Sequence, residues 1–276
     1  MNVFSGVWDW LTDGAHWTGE SGIPTRVLEH LEYTALTLLA AIIIAVPLGA
    51  WIGHIGRGAG IVGMLANSLR ALPSFGVLIL LTVWALDRAW GTGGLLAATV
   101  VTLLILAIPP ILTNTYAGVR AVDPAVRDAA RGMGMSPMTQ LLRVELPNAL
   151  PLIMAGIRSA YLQVVATAVI APYISLGGLG TYVYYGLSQQ DYPQMTAGAV
   201  LIALLAIAGD LLLAGIARLI VSPGLQIPRR RAWYRRRPNV SPAAATTAAV
   251  EPASTDLDSE PNDPDTAGDD RRAAAR

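Results

Sequence analysis

The chain has 276 residues, 53% hydrophobic and only 14% charged, with zero formal net charge and a positive mean hydropathy. A soluble domain carries about 25% charged residues, so a soluble globular fold is excluded and the apolar runs belong in a bilayer. There is no cysteine, and all 19 basic residues are arginine, which excludes a disulfide frame, a Schiff-base lysine and a Walker A phosphate loop. If ATP drives this protein, a separate subunit binds it.

Residues 1–30 place Trp8, Trp10 and Trp17 among Asp9, Asp13, Glu20 and Glu29. No basic stretch precedes an apolar run, so this is not a signal peptide. Tryptophan at this density suits an interfacial anchor. Tyr33–Ile52 is the first expected span, twenty residues without a charge, enough to cross at about 1.5 Å per residue. Pro47 and Gly49 predict a kink near its end. Pro73 divides the next apolar stretch. We expect 61–71 as a short interfacial or re-entrant helix and Leu72–Leu86 as the second span. Asn67, Ser68 and Arg70 either line a pathway or satisfy backbone groups freed before Pro73. The third span is Leu95–Leu112, ending in Pro109-Pro110.

The polar segment Asp123–Pro147 interrupts the apolar runs. Asp123 is placed to cap a helix and Pro124 to open it. Val126, Ala129, Ala130 and Met133 fall at i, i+3, i+4 and i+7, one apolar stripe. Asp123–Arg127 and Asp128–Arg131 are at pairing distance along the helix. Gly132 and Gly134 stop it, Ser136-Pro137 opens a second start, and Pro147 closes the segment. Such a helix either packs its stripe on its own spans or docks into a partner.

Ala149–Ile174 is the fourth span, with Arg158 near its start. Met195–Val221 is the fifth, with Asp210 in its middle. Asp210 is either a proton relay or a structural partner of Arg158 or a nearby hydroxyl. Gly177, Gly178 and Gly180 form a tight turn, or a gate where two chains approach closely. Tyr173, Tyr182, Tyr184 and Tyr185 surround them and offer ring faces to a cation. The histidines, His16, His30 and His54, lie outside the expected span interiors. No acid and histidine cluster marks a metal or catalytic centre, and no cofactor is expected.

Arginine is unevenly shared among the loops. Arg57, Arg70, Arg120, Arg127, Arg131 and Arg143, and the chain beyond Arg218, fall on one side of a five-span topology. The N-terminus, the Asp87-Arg88 turn and the 175–194 loop fall on the other. The positive-inside rule then sets the N-terminus outside and the C-terminus in the cytoplasm. Arg229–Arg231 and Arg235–Arg237 form a membrane-proximal anchor rather than a nucleic-acid site. Residues 238–276 lack large apolar side chains and are expected to be disordered. The chain divides into an interfacial N-terminus (1–30), a transmembrane domain (31–225) and a cytoplasmic tail (226–276).

Asp128-Ala129-Ala130, three residues, Gly134, nine residues, Val144-x-Leu146-Pro147 resembles the EAA loop of permease subunits of ABC importers. Asp128 stands for the usual Glu and Val144 for Ile. The likeness extends over roughly residues 28–225. Asn67 with Leu72-Pro73-Ser74, Asn114-Thr115-Tyr116 with Gly118, Gly132–Met135, Ala155–Arg158 and Gly177–Gly180 resemble the osmoprotectant branch. Arg70 stands where that branch commonly has Gln, and Ala171–Leu176 replaces its usual small residues. The resemblance implies an all-α integral membrane protein with a five-span type I permease core. It implies a coupling helix between spans three and four, carried here by Asp123, Val126, Asp128, Ala129, Ala130, Arg131, Gly132, Met133 and Gly134. Asn67, Arg70, Pro73, Tyr173, Gly177, Gly178 and Gly180 are then expected along the pathway or gate. The implied partners are two ATPase subunits, a second permease chain and an extracytoplasmic solute-binding protein. The implied cargo is glycine betaine, choline or carnitine, with methionine or another amino acid as the alternative. Too few spans and no paired repeats argue against an ion-coupled carrier.

Overall fold

The computed structural model describes residues 3–221, so the arginine clusters beyond Pro228 and the acidic tail lie outside the described residues. Everything described is helix, turn or loop. A short helix α1 (Val3–Thr12) is followed by a 3-10 turn, Gly14–Trp17. Helix α2 (Ile23–Ile55) has 33 residues. It begins ten residues before the expected span, because Gly22 caps it and Pro24 occupies its first turn. The expected boundary at residue 30 therefore cuts a continuous helix.

Helices α3 (Ala59–Ala71) and α4 (Ser74–Asp87) meet at a 77° bend across Leu72-Pro73. Proline denies the preceding residue a helical conformation, which is why the break falls there. At 14 residues, α4 is about 21 Å long. That is short of the roughly 30 Å hydrocarbon core, so α3 and α4 together form either one broken span or a re-entrant loop.

Helix α5 (Gly91–Arg120) corrects the sequence reading. It runs straight through Pro109-Pro110 for 30 residues instead of ending there. Both prolines are fully enclosed with Ile111 and Leu112, so packing outweighs the lost backbone bonds. Helix α6 (Pro124–Gly132) and the single turn α7 (Pro137–Gln140) follow. A π-helical turn, Leu141–Glu145, leads into α8 (Leu146–Thr167), which ends in a 3-10 stretch, Ala168–Ile174. The 175–194 connection, expected as loop, contains helix α9 (Gly180–Ser188). Helix α10 (Tyr192–Ile220) completes the described chain. Four of these segments are long and apolar enough to cross a membrane, and five if α3–α4 is one broken span.

Helix α5 is central, packed against α2, α8, α3 and α4, while α10 packs on α8, α9 and α1. The α2–α5 seam explains this closeness. Ala41, Ala45, Gly49 and Gly53 recur every fourth residue on α2 and are buried. A Cβ on Gly49 would stand 2.9 Å from the Leu112 carbonyl, and one on Gly53 2.9 Å from Val119. Small residues at this spacing let two backbones touch, the usual basis of helix pairing in lipid. The motif residues Gly118 and Gly156 do the same between α5 and α8, against Ala149 and Asn114.

Candidate functional site

The loop between α5 and α8 is built from local signals. The Asp123 side chain accepts from Ala125 N–H at 2.8 Å, and the Ser136 side chain from Thr139 N–H at 3.3 Å. Gly134 takes φ +79°, a left-handed conformation that costs other residues about 1 kcal/mol or more. It turns the chain from α6 toward α7. Of the apolar stripe, Ala130 alone is buried; Val126 is 43% and Met133 70% exposed, and Ala129 is exposed as well. The stripe is therefore not spent on the chain's own spans. Met138 and Leu142 extend the exposed apolar surface. Asp128 and Arg131 pair at 3.6 Å on the outer side.

The expected Asp123–Arg127 pair does not form. Arg127 instead turns inward, where Nη2 donates to the Val119 carbonyl and Nε lies 3.3 Å from Glu145 Oε1. Glu145 is completely buried and receives two further contacts. His54 Nδ1 lies 2.7 Å from Oε2, and Gln140 Nε2 donates to Oε1 at 2.8 Å. A larger net thus ties α6 to α2, α5 and the start of α8. Sequence reasoning missed Glu145, although one clue was present: a lone carboxylate between Val144 and Leu146 in an apolar stretch.

Between α8 and α10, half-buried on the single chain, Arg158 binds Asp210 with two parallel bonds, Nε to Oδ1 at 2.8 Å and Nη2 to Oδ2 at 2.7 Å. Asp210 thus has the charged partner that its structural reading calls for. Tyr161 extends the same seam, donating to the Leu205 carbonyl at 2.8 Å.

The glycine run lies at the opposite end of α8 from α6. Glu29 Oε2 accepts Gly178 N–H at 2.6 Å and pairs with Arg26 at 2.8 Å. A side chain on Gly177 would overlap both groups. Gly180 is the first residue of α9, and a Cβ there would overlap the Val169 backbone. Nearby, Arg26, Ser175, Thr181 and three tyrosines line a cavity of about 290 Å³. Tyr173 meets Tyr184 edge-on at 4.8 Å, Tyr184 meets Tyr185 at 5.3 Å, and Phe75 joins Tyr173 at 5.2 Å. The fourth tyrosine points elsewhere: Tyr182 is buried, donates to the Ser21 carbonyl at 2.7 Å and packs on Trp10. The Arg26 guanidinium in the same wall opposes a bare cation among the rings. Asn67, Ser68, Arg70 and Pro73 are all exposed. Among the described residues, none of the three polar side chains hydrogen-bonds the backbone broken at Pro73.

The family model for the inner membrane component of binding-protein-dependent transport systems matches residues 37–223. The chain belongs to that family. It is an all-α permease of the type I ABC fold and an integral protein of the bacterial plasma membrane. It is 34% identical over 201 residues to a choline transport system permease protein of Bacillus subtilis, covering 73% of this chain and 89% of that one. It is 35% identical over 198 residues to a glycine betaine/carnitine/choline permease protein of the same organism, with 72% and 88% covered. An osmoprotectant import permease protein of Salmonella typhimurium is 37% identical over 205 residues, with 74% and 94% covered. Among solved structures, the inward-facing MetNI methionine ABC transporter is similar with a TM-score of 0.59 and 24% identity. That likeness covers 71% of this chain and 94% of the other, and it concerns the fold alone.

Proposed function

We propose that this chain is the permease subunit of an ATP-driven importer that carries a quaternary ammonium osmoprotectant, glycine betaine, choline or carnitine, across the plasma membrane. The observation that carries this reading is the 34–37% identity to permeases named for those solutes, over nearly their whole length. The likeness to the methionine transporter is more distant and gives no reason to prefer an amino acid.

In this reading the N-terminus is outside and α6 faces the cytoplasm. Two such chains line one pathway, two ATPase subunits bind ATP, and a binding protein delivers the solute from outside. The α6 face of Val126, Ala129 and Met133, framed by Asp123, Asp128, Arg131, Gly132 and Gly134, seats in a groove of the ATPase. Ala130 shapes the helix from beneath. The exposed stripe supports this, since leaving large apolar groups uncovered on a polar loop is unfavourable unless a partner takes them up. ATP binding then shifts the spans because it favours one arrangement of the paired ATPases over the other. Tyr173, Gly177, Gly178 and Gly180 belong to the outer gate, and Asn67, Arg70 and Pro73 to the broken crossing that borders the pathway.

The test is uptake of radiolabelled glycine betaine, choline and carnitine in cells lacking this chain, with and without its re-expression, at low and high osmolarity. Restored uptake of one of them is expected. Equal uptake of all three with and without the chain would remove the osmoprotectant assignment.

A further inference from the structure

Glu145 is the most completely enclosed charged group among the described residues, with no exposed surface at all. Every polar contact it makes reaches a different part of the fold. His54 ends α2, Gln140 ends α7 and Arg127 lies in the middle of α6. Arg127 also holds the Val119 carbonyl at the end of α5. The carboxylate stands at the π-helical turn where the polar loop becomes the fourth span. π turns inside helices are frequent at functional sites. A hydrophobic side chain of similar volume would satisfy packing at such a place, and often more cheaply than a buried ion pair. What packing alone does not give is a charge-to-charge tie from α6 to the carboxylate, which in turn bonds the end of α2.

We infer that Glu145 is a positioning residue for energy coupling: through Arg127 and His54 it makes α6 move as one body with the inner ends of α2, α5 and α8. This rests on the reading of α6 as the ATPase-docking helix and deepens it. Docking needs the exposed face of α6, whereas transmission needs its buried side. Arg127 is the only polar side chain of α6 turned to that side among the described residues. With the carboxylate gone, α6 still docks, but its displacement is taken up by the loop.

The experiment uses the whole importer reconstituted in lipid vesicles, with ATP hydrolysis and solute uptake measured together. Glu145→Gln keeps the shape and loses the charge. The expected result is normal recovery of the ATPase with the permease and a rise of about three- to tenfold in ATP hydrolysed per solute moved. Arg127→Gln should raise the ratio similarly, and the double variant no further. An unchanged ratio, with only less complex recovered, overturns the inference. If Glu145→Gln does not assemble, His54→Gln, which leaves the carboxylate in place, decides in its stead by the same ratio. Failure of both to assemble also overturns it, because the cluster then serves stability alone. Gly134→Asp separates the two readings. If that variant keeps its ATPase, the docking face itself is wrong. If it loses the ATPase while Glu145→Gln leaves the ratio unchanged, the Glu145 inference alone fails.

Discussion

Arg158 and Asp210 join α8 to α10 by a two-pronged bond. Both oxygens of Asp210 accept from Arg158, the arrangement of a structural pair and one that an ATP-driven mechanism leaves undisturbed. Uptake should therefore survive an uncoupler as long as cellular ATP is maintained, measured with labelled solute and an ATP assay in the same cells. Asp210→Asn should lower the melting temperature of the purified chain, and exchanging the two charges should restore part of the loss. Neutral behaviour of both variants would contradict a structural pair. The sequence offered this pair as one reading beside a nearby hydroxyl or a proton relay, since two isolated opposite charges in apolar helices have few other partners. The partner of Arg127 was not legible there. Spacing along one helix pointed to Asp123, but the cap at Ala125 occupies that carboxylate, and the true partner comes from a π turn that no periodicity reveals.

The helix seams carry the fold. On α2, Gly49 and Gly53 admit the α5 backbone within van der Waals distance. Gly53→Val should cost about 1–3 kcal/mol through overpacking, read as a lower melting temperature and poorer yield in detergent. Gly63→Ala on α3 meets open space and should leave both unchanged or slightly improved. An equal effect at the two positions would contradict the seam. The apolar spans were legible because apolar length and proline positions are strong local signals. Two failures have one cause. Pro109-Pro110 were expected to end the third span, and residues 175–194 to stay loop, yet α5 runs through its prolines and α9 forms in the connection. In both, enclosure by neighbouring helices decides, and enclosure is absent from local sequence. The broken α3–α4 crossing was visible from Pro73, though not its 77° angle.

For the whole molecule, a bundle of four or five spans is too thin to enclose a gated path by itself. Leu204, Ile207, Leu211, Leu212 and Leu219 leave one side of α10 uncovered in the single chain, ready for lipid or for a second permease. Native mass spectrometry of the assembled importer should find two permease chains, and a single one would contradict the account. The apolar stripe of α6 was legible with two open readings, and exposure of Val126, Ala129 and Met133 is what supports the proposal of a partner there. Ala129 is the position to probe, because it is exposed on a regular helix, whereas a larger residue at buried Ala130 would disturb the loop itself. The deciding measurement is recovery of the ATPase with tagged permease carrying Ala129→Glu, alongside uptake in the same cells. The account predicts a folded, membrane-inserted permease that has lost its ATPase and its transport. Full recovery of the ATPase with normal uptake would contradict it.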